Sequence, residues 1–209
     1  MNKHTMTTSN NNNGYLELFI GPMFSGKTSK LLDIYKQCKF CNIPVTVINH
    51  KIDNRYDDEL LSTHDQVKIP CLQACELNNI WFCQGIDNVY KKSIYEKDLW
   101  AHNAVRESDV ILINEGHFFP YLYEFVVDML ACNKKIYICG LDGDFERKKF
   151  GQILDLIPLC DKVSKLTSLC SKCKNGTAGI FSMRLTNETV QTVVGSDNYI
   201  PVCRKCYTN

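Results

Sequence analysis

The sequence lacks the features of membrane, secreted and strongly charged proteins. No hydrophobic run approaches the roughly 20 residues that a transmembrane helix needs. Residues 1–13 are rich in Asn, Thr and Ser and have no apolar core of the kind found in signal peptides, so we expect a disordered tail. The net charge is only +1, so the chain as a whole gives no electrostatic argument for nucleic acid binding.

The composition is that of a globular protein with reduced thiols. Hydrophobic residues make up 44% and charged residues 22% of the 209 residues, enough for one core and a small appended module. Twelve cysteines without a secretory signal predict a cytoplasmic location. In such proteins, paired cysteines bind metal more often than they form disulfides.

A glycine-rich segment dominates the N-terminal half. It fits the pattern G-x-x-x-x-G-K-[ST], follows the apolar run at 16–20 and precedes apolar residues at helical spacing. Backbone N–H groups of such a loop, at the start of a helix, bind phosphate oxygens. We expect Lys27 to contact the β- and γ-phosphates of a nucleotide and Thr28 to bind Mg²⁺. The predicted phosphate-binding loop comprises Gly21, Pro22, Met23, Phe24, Ser25, Gly26, Lys27 and Thr28.

A second apolar run, at 110–113, ends in polar residues. Such a run predicts a buried strand whose carboxyl end lies beside the γ-phosphate. Glu115 is then a candidate general base, able to accept a proton from an attacking hydroxyl. We expect the nucleotide site to include Asn114, Glu115, Gly116 and His117 from this segment, and Asp53, Asn54 and Arg55 from the polar segment after the run at 45–49.

Alternating strand and helix patterns continue to about Lys165. They predict a three-layer α/β domain with a parallel sheet, including strands at 45–49 and 135–139 and a helix at 118–130. The weaker pattern from 72 to 106 predicts a helix with an embedded loop. Phe145 and Phe150 either stack on a base or fill the core.

Four C-terminal cysteines form two Cys-x-x-Cys pairs separated by 29 residues. Two such pairs supply the four thiolates of a tetrahedral, structural zinc site with no open position. These predicted ligands are Cys170, Cys173, Cys203 and Cys206. Cys38 and Cys41 have no partner pair nearby, so we expect them, like the six remaining cysteines, to be buried free thiols.

The motifs, in their order along residues 14–207, resemble those of the type II thymidine kinases, the cytosolic zinc-containing family. They are Gly-Pro-Met-Phe-Ser-Gly-Lys-Thr at 21–28, Asp53-x-Arg55-Tyr56, Thr63-His64-Asp65, Glu115-Gly116-x-Phe118-Phe119-Pro120, Leu141-Asp142-Gly143-x-Phe145-x-Arg147-Lys148, Lys165-Leu166-Thr167 and Val202-Cys203-Arg204-x-Cys206-Tyr207.

The resemblance implies transfer of the ATP γ-phosphate to the 5′-hydroxyl of thymidine, with Mg²⁺. Glu115 matches the family's general base and Phe145 its base-contacting aromatic residue. The resemblance also implies a homotetramer and feedback inhibition by thymidine triphosphate. With the end of the alternating pattern near Lys165, we expect a kinase domain at 14–165 and a zinc-binding lasso domain at 166–209, with neither nucleic acid nor membrane as a partner. The lasso residues expected around thymine are Val190, Gln191, Thr192, Val193, Val194 and Tyr199.

Three departures from the family stand out. Asn114 replaces an Asp, which removes a charge from the expected Mg²⁺ site. His117 replaces a Gln, which puts a titratable group near the expected triphosphate. About twenty extra residues lie within 81–103, and no physical argument assigns them a role.

Two other functions remain open from the residues alone. From Lys162 onward the sequence has seven basic and two acidic residues, a net charge of about +5. This charge is consistent with a nucleic-acid-dependent ATPase that has a zinc ribbon. Asn114 instead suits a nucleotide-binding regulator without turnover. A kinase consumes ATP in proportion to added nucleoside, whereas such an ATPase needs polynucleotide.

Overall fold

The structure is a computed structural model that describes residues 14–52, 60–62, 68–81, 96–193 and 195–208. The N-terminal tail, the segment with Asp53, Asn54 and Arg55, Val194, and most of the insertion lie outside the described residues. The expectations for them stay predictions. None of the described helices is long and apolar enough to cross a membrane.

The described residues form twelve strands and four α-helices. The strands are β1 (Tyr15–Ile20), β2 (Val45–His50), β3 (Leu60–Ser62), β4 (Lys68–Pro70), β5 (Leu72–Ala74), β6 (Val110–Ile113), β7 (Lys135–Gly140), β8 (Lys162–Lys165), β9 (Ser168–Leu169), β10 (Ala178–Gly179), β11 (Phe181–Arg184) and β12 (Tyr199–Val202). The α-helices are α1 (Lys27–Phe40), α2 (Glu96–Glu107), α3 (Leu122–Ala131) and α4 (Arg204–Thr208), with 3₁₀ turns at Leu77–Asn79, Gly116–Phe118, Ile153–Leu159 and Ser196–Asn198.

Six strands form a parallel sheet in the order β5-β2-β6-β7-β1-β8. All four residues of β6 are buried, as expected for a parallel strand covered on both faces. Alternate residues of β1 enter different cores: Leu16 and Leu18 pack with residues of α2 and α3, whereas Phe19 packs with α1. Helices therefore cover both faces, which confirms the predicted three-layer α/β fold.

The sheet places the candidate site along one edge. Because the strands are parallel, their carboxyl ends lie on the same side, where α/β proteins bind ligands. The glycine-rich loop follows β1, and Asn114 follows β6, with only β7 between these two strands.

The region from 72 to 106 was predicted wrongly in part. The short strand β5 pairs with β2 at the sheet edge, and α2 begins only at Glu96. Three residues are too few to show an alternating pattern, so long-range pairing decides this strand. Helix α3 starts four residues later than predicted, because the residue before Pro120, Phe119, adopts an extended conformation.

The C-terminal residues form a second, smaller core. The pairs β9–β10 and β11–β12 are antiparallel, and Cys170, Val202 and Cys203 are buried between them and α4. Partly buried residues pack around this cluster: Cys173, Phe181, Met183, Ile200, Cys206 and Tyr207. A separate small core suits the predicted division near residue 165, which stays a prediction.

Candidate active site and metal centre

The glycine-rich loop has a conformation that requires its first glycine. Gly21 has φ of 149°, and a Cβ there would lie 2.3 Å from the carbonyl oxygen of Leu166. Gly26 has φ of 79° at the start of α1. Within the loop, Lys27 Nζ donates to the Pro22 carbonyl at 2.6 Å, and Ser25 Oγ donates to the same oxygen at 2.8 Å. The lysine ammonium therefore lies against the backbone of the loop, and its contact with phosphate stays a prediction.

The C-terminal unit, which contains the four-cysteine core, also contacts the glycine-rich loop. The Met23 N–H donates to Ser182 Oγ at 2.9 Å, and Ser182 on β11 is only 4% exposed. An open groove of about 560 Å³ lies beside the loop, a volume within the usual range of small-ligand sites. It is lined by Phe24, Ser25, Gly26, Thr167, Ser168, Leu169, Gly176 and Ala178.

Asn114 connects the end of β6 to the start of α1. Thr28 Oγ1 donates to Asn114 Oδ1 at 3.3 Å, and Cys139 Sγ donates to the same oxygen at 2.9 Å. Asn114 Nδ2 donates to Asn49 Oδ1 at 2.7 Å, and Asn114 is fully buried. The hydrogen bond to Asn49 therefore fixes the orientation of the Asn114 amide. The Asn114 oxygen faces Thr28, the residue that was predicted to bind Mg²⁺.

Glu115 follows directly and has an unusual backbone. It adopts φ of 54° and ψ of 42°, a left-handed conformation that costs a non-glycine residue about 1 kcal/mol or more. The following residue, Gly116, is packed so tightly that a Cβ would lie 2.6 Å from Ile138 Cγ2. The Glu115 side chain is 15% exposed, so its carboxylate reaches the surface of the site. Such strain at a strand end is typical of functional positions.

His117 lies inside the protein. Its side chain is fully buried, and its Nδ1 accepts the Leu141 N–H at 3.1 Å. The ring packs against Phe118 and Phe150, with centroid distances of 4.1 and 4.6 Å. Because Nδ1 acts as an acceptor, its 3.6 Å separation from Glu115 Oε2 is not a hydrogen bond. This placement does not support the predicted contact with phosphate. Phe150 is 8% exposed, which favours its reading as a core residue.

The predicted thymine-binding loop lies against the 142–148 turn. Gln191 Nε2 donates to Asp144 Oδ2 at 2.8 Å, and Tyr199 Oη donates to the Val193 carbonyl at 3.2 Å. Tyr207 Oη donates to the carbonyl of Phe145. The loop is thus attached to both the turn and β12, as a lid over the site would be.

Two residues of β11 that hold these parts together were missed from the sequence. Ser182 and Arg184 are 4% and 8% exposed and lie on the same face of the strand, whereas Phe181 and Met183 pack in the cysteine core. The alternation Phe-Ser-Met-Arg suggests an outward polar face. Here the polar face contacts the glycine-rich loop through Ser182 and Tyr199 through Arg184 instead. The sequence did contain one signal for these two residues: they alternate with apolar residues in a segment that lies between the two predicted pairs of metal ligands.

The four predicted zinc ligands converge. Their sulfur atoms all lie within 4.8 Å of one another, with Cys173 Sγ 3.7 Å from Cys203 Sγ and 3.4 Å from Cys206 Sγ. Tetrahedral zinc with bonds of about 2.3 Å needs sulfur atoms about 3.8 Å apart. The donor set and spacing therefore fit zinc.

The local environment prepares one thiol for ionisation. Burial opposes the charge of Cys170, but N–H groups of Cys173, Cys203 and Lys172 outweigh it and lower its pKa to about 6. The hydrogen bond to Cys173, followed by burial, raises the pKa of Cys206 to about 12. Four crowded thiols cannot all ionise by themselves, whereas a divalent cation stabilises all four thiolates.

The other cysteines only partly match expectation. Cys38 is a buried free thiol, as predicted, and burial raises its pKa. Cys41, Cys75 and Cys132 are exposed, so the prediction of burial was wrong for them. Cys41 ends α1 and Cys132 ends α3, where the chain turns at the surface.

These parts define an α/β protein in which the helix after a glycine-rich loop contacts Asn114, the residue before the candidate base. Strand β11, which packs in the four-cysteine core, contacts the same loop through Ser182. The thymidine kinase family model matches residues 14–207. The chain is 38% identical over 197 residues to thymidine kinase of Variola virus, covering 94% of this chain and 98% of that protein. It is 36% identical to thymidine kinase of Vaccinia virus (strain Western Reserve), with the same coverage. It is also 36% identical to thymidine kinase of Oryza sativa subsp. japonica, covering 93% of this chain and 66% of that protein. The chain belongs to the thymidine kinase family.

Proposed function

We propose that this protein transfers the γ-phosphoryl group of ATP to the 5′-hydroxyl of thymidine. The observation that carries the proposal is the 3.3 Å contact between Thr28 and Asn114, which brings the glycine-rich loop to the strand end that bears Glu115. A phosphate donor and a proton acceptor then meet at one edge of the sheet. The family to which the chain belongs supports the choice of acceptor.

Glu115 acts as the general base in this proposal. Its carboxylate accepts the proton of the 5′-hydroxyl while the oxygen forms a bond to the γ-phosphorus. The bond from that phosphorus to the β–γ bridging oxygen breaks, and ADP leaves. Lys27 and the loop N–H groups bind the phosphate oxygens as negative charge shifts to ADP. The groove beside Phe24 accommodates the rest of the donor nucleotide.

The residues present suit Mg²⁺ and zinc in different roles. Thr28 Oγ1 would be a magnesium ligand, and Asn114 Oδ1 would orient that hydroxyl by accepting its hydrogen bond. Mg²⁺ supplies neutralisation of phosphate charge when it is bound. The four-cysteine cluster would hold zinc in a closed structural site that keeps β11 and α4 in place.

Proposals for assembly, regulation and location follow from family membership. We infer a homotetramer, inhibition by thymidine triphosphate, and a cytoplasmic location. The eleven free cysteines among the described residues support this location, because the cytosol keeps thiols reduced. Light scattering and inhibition assays test the first two. A kinase domain at 14–165 with a lasso domain at 166–209 also remains our proposal.

The test is phosphorylation of labelled thymidine with ATP and Mg²⁺, with deoxycytidine as the control acceptor. We expect labelled thymidine monophosphate in proportion to the ATP consumed. ATP hydrolysis that needs polynucleotide instead would favour the nucleic-acid-dependent ATPase. ATP binding without any turnover would favour a regulator that has lost activity at Asn114.

A further inference from the structure

Arg184 lies at the centre of the predicted thymine-binding loop. It ends β11, is 8% exposed, and its guanidinium makes five hydrogen bonds. Nη1 donates to the Glu188 and Val190 carbonyls at 2.8 and 2.6 Å, and Nη2 donates to the Gln191 carbonyl at 2.8 Å. Nη2 and Nε donate to Tyr199 Oη at 2.6 and 3.2 Å. A guanidinium has five N–H donors, so this network uses the full capacity of the side chain.

The same guanidinium also packs on the residue predicted to contact the base. Arg184 Cζ lies 3.6 Å from the centre of the Phe145 ring, a cation–π contact that restrains the ring. Because the guanidinium occupies one face of the ring, only the opposite face is available to a nucleobase. Arg184 therefore joins the lasso carbonyls, Tyr199 and Phe145 in one arrangement.

The carbonyl contacts determine where the loop N–H groups point. Across a trans peptide, the N–H of the following residue points opposite to the carbonyl, and the described chain has no cis peptide. The carbonyls of Val190 and Gln191 face Arg184. The N–H groups of Gln191 and Thr192 consequently point away from the guanidinium.

We propose that Arg184 is the positioning residue for thymine recognition, and this rests on the function proposed above. By holding the carbonyls of Glu188, Val190 and Gln191, it directs the N–H groups of Gln191 and Thr192 to the carbonyl oxygens of thymine. Thymine has an acceptor oxygen at position 4, where cytosine has an amino donor. An N–H donor fixed there favours thymidine and disfavours deoxycytidine. Arg184 thus contributes to both affinity and base selectivity without touching the substrate.

The test uses Arg184→Gln and Arg184→Lys, with Arg106→Met as a control that removes an exposed arginine on α2. We expect Arg184→Gln to raise the thymidine KM by about 10-fold or more, to change the ATP KM by less than about twofold, and to reduce the preference for thymidine over deoxycytidine. Arg184→Lys should be intermediate, because an ammonium has three donors and no planar fork. Each variant should keep the zinc content of the parent.

Chemical rescue separates positioning from folding. In Arg184→Gly, millimolar guanidinium chloride should lower the thymidine KM, whereas ammonium chloride should not. A thymidine KM unchanged in Arg184→Gln would overturn the proposal, as would a raised KM that comes with zinc loss or is not lowered by guanidinium. Calorimetric binding of thymidine without ATP provides a separate readout. If the parent protein binds thymidine but does not phosphorylate it, the proposed function is contradicted. The role of Arg184 would then be tested by comparing the thymidine dissociation constants of the parent and of Arg184→Gln.

Discussion

At the scale of single residues, Glu115 combines a strained backbone with a partly exposed carboxylate. Replacing it with Gln keeps the shape and removes the base. We expect Glu115→Gln to lower kcat by about 100-fold or more, with both KM values within a few-fold of the parent. Steady-state kinetics with thymidine and ATP check this. Glu107→Gln, on the exposed end of α2, is the matched control. A kcat within a few-fold of the parent would refute Glu115 as the base.

Asn114 is buried, and its amide contacts the neutral side chains of Thr28, Cys139 and Asn49. An Asp at this position would place a carboxylate oxygen 2.7 Å from Asn49 Oδ1, and two acceptor oxygens repel each other. The Asn49 amide would therefore have to rotate by about 180° to donate a hydrogen bond instead. We therefore expect Asn114→Asp to lower the free energy of unfolding by about 1–3 kcal/mol, measured with urea. The added charge beside Thr28 should also lower the Mg²⁺ concentration needed for half-maximal rate.

Asn78→Asp provides the control for this change. Asn78 is exposed in the 3₁₀ turn Leu77–Asn79, so the same substitution should change stability by less than about 0.5 kcal/mol. Equal effects in the two variants would show that the buried amide pair does not matter. Overlapping Mg²⁺ titrations of the parent and Asn114→Asp would remove Asn114 from the metal site.

At the scale of elements, the glycine-rich loop contains two glycines with different constraints. A Cβ on Gly21 meets the Leu166 backbone at 2.3 Å, whereas a Cβ on Gly26 meets nothing within 4 Å. Gly21→Ala must therefore displace the chain after β8 and should cost more than about 2 kcal/mol of stability. Gly26→Ala should cost only the left-handed backbone, about 1–2 kcal/mol. Thermal unfolding of the pair checks the order, and equal costs would contradict the steric argument.

At the scale of the whole molecule, the C-terminal four-cysteine unit contacts the candidate site at two places. Ser182 binds the loop backbone, and Tyr207 binds the Phe145 carbonyl. Loss of zinc should therefore loosen thymidine binding as well as the C-terminal unit. We expect Cys170→Ser to lose most of its zinc and to raise the thymidine KM more than the ATP KM. Metal analysis and kinetics provide the readouts.

Cys132→Ser is the control for Cys170→Ser, since Cys132 is an exposed thiol outside the cluster. It should keep the zinc content and both KM values of the parent. If Cys170→Ser retains as much zinc as Cys132→Ser, the four-cysteine cluster is not the metal site.

The sequence by itself determined the features that depend on neighbours along the chain. The loop pattern after an apolar run predicted β1, the loop and α1, because each part of that unit constrains the next. Glu115 was selected as the candidate base because it follows a continuously apolar stretch, and the four cysteines were selected as candidate zinc ligands because they form two Cys-x-x-Cys pairs. These signals are local, so no knowledge of distant contacts was needed.

Only the tertiary structure decided the features whose partners are distant in sequence. Ser182 meets Met23 across 159 residues, and Asn114 meets Asn49 across 65. No periodicity records such pairs. Strand β5 exists because it pairs with β2, and His117 is buried because β7 and Phe150 surround it. Arg184 resembles a surface residue in the sequence. Its role emerges only when the chain brings three backbone carbonyls and two aromatic side chains to one guanidinium, since folding is what satisfies those donors.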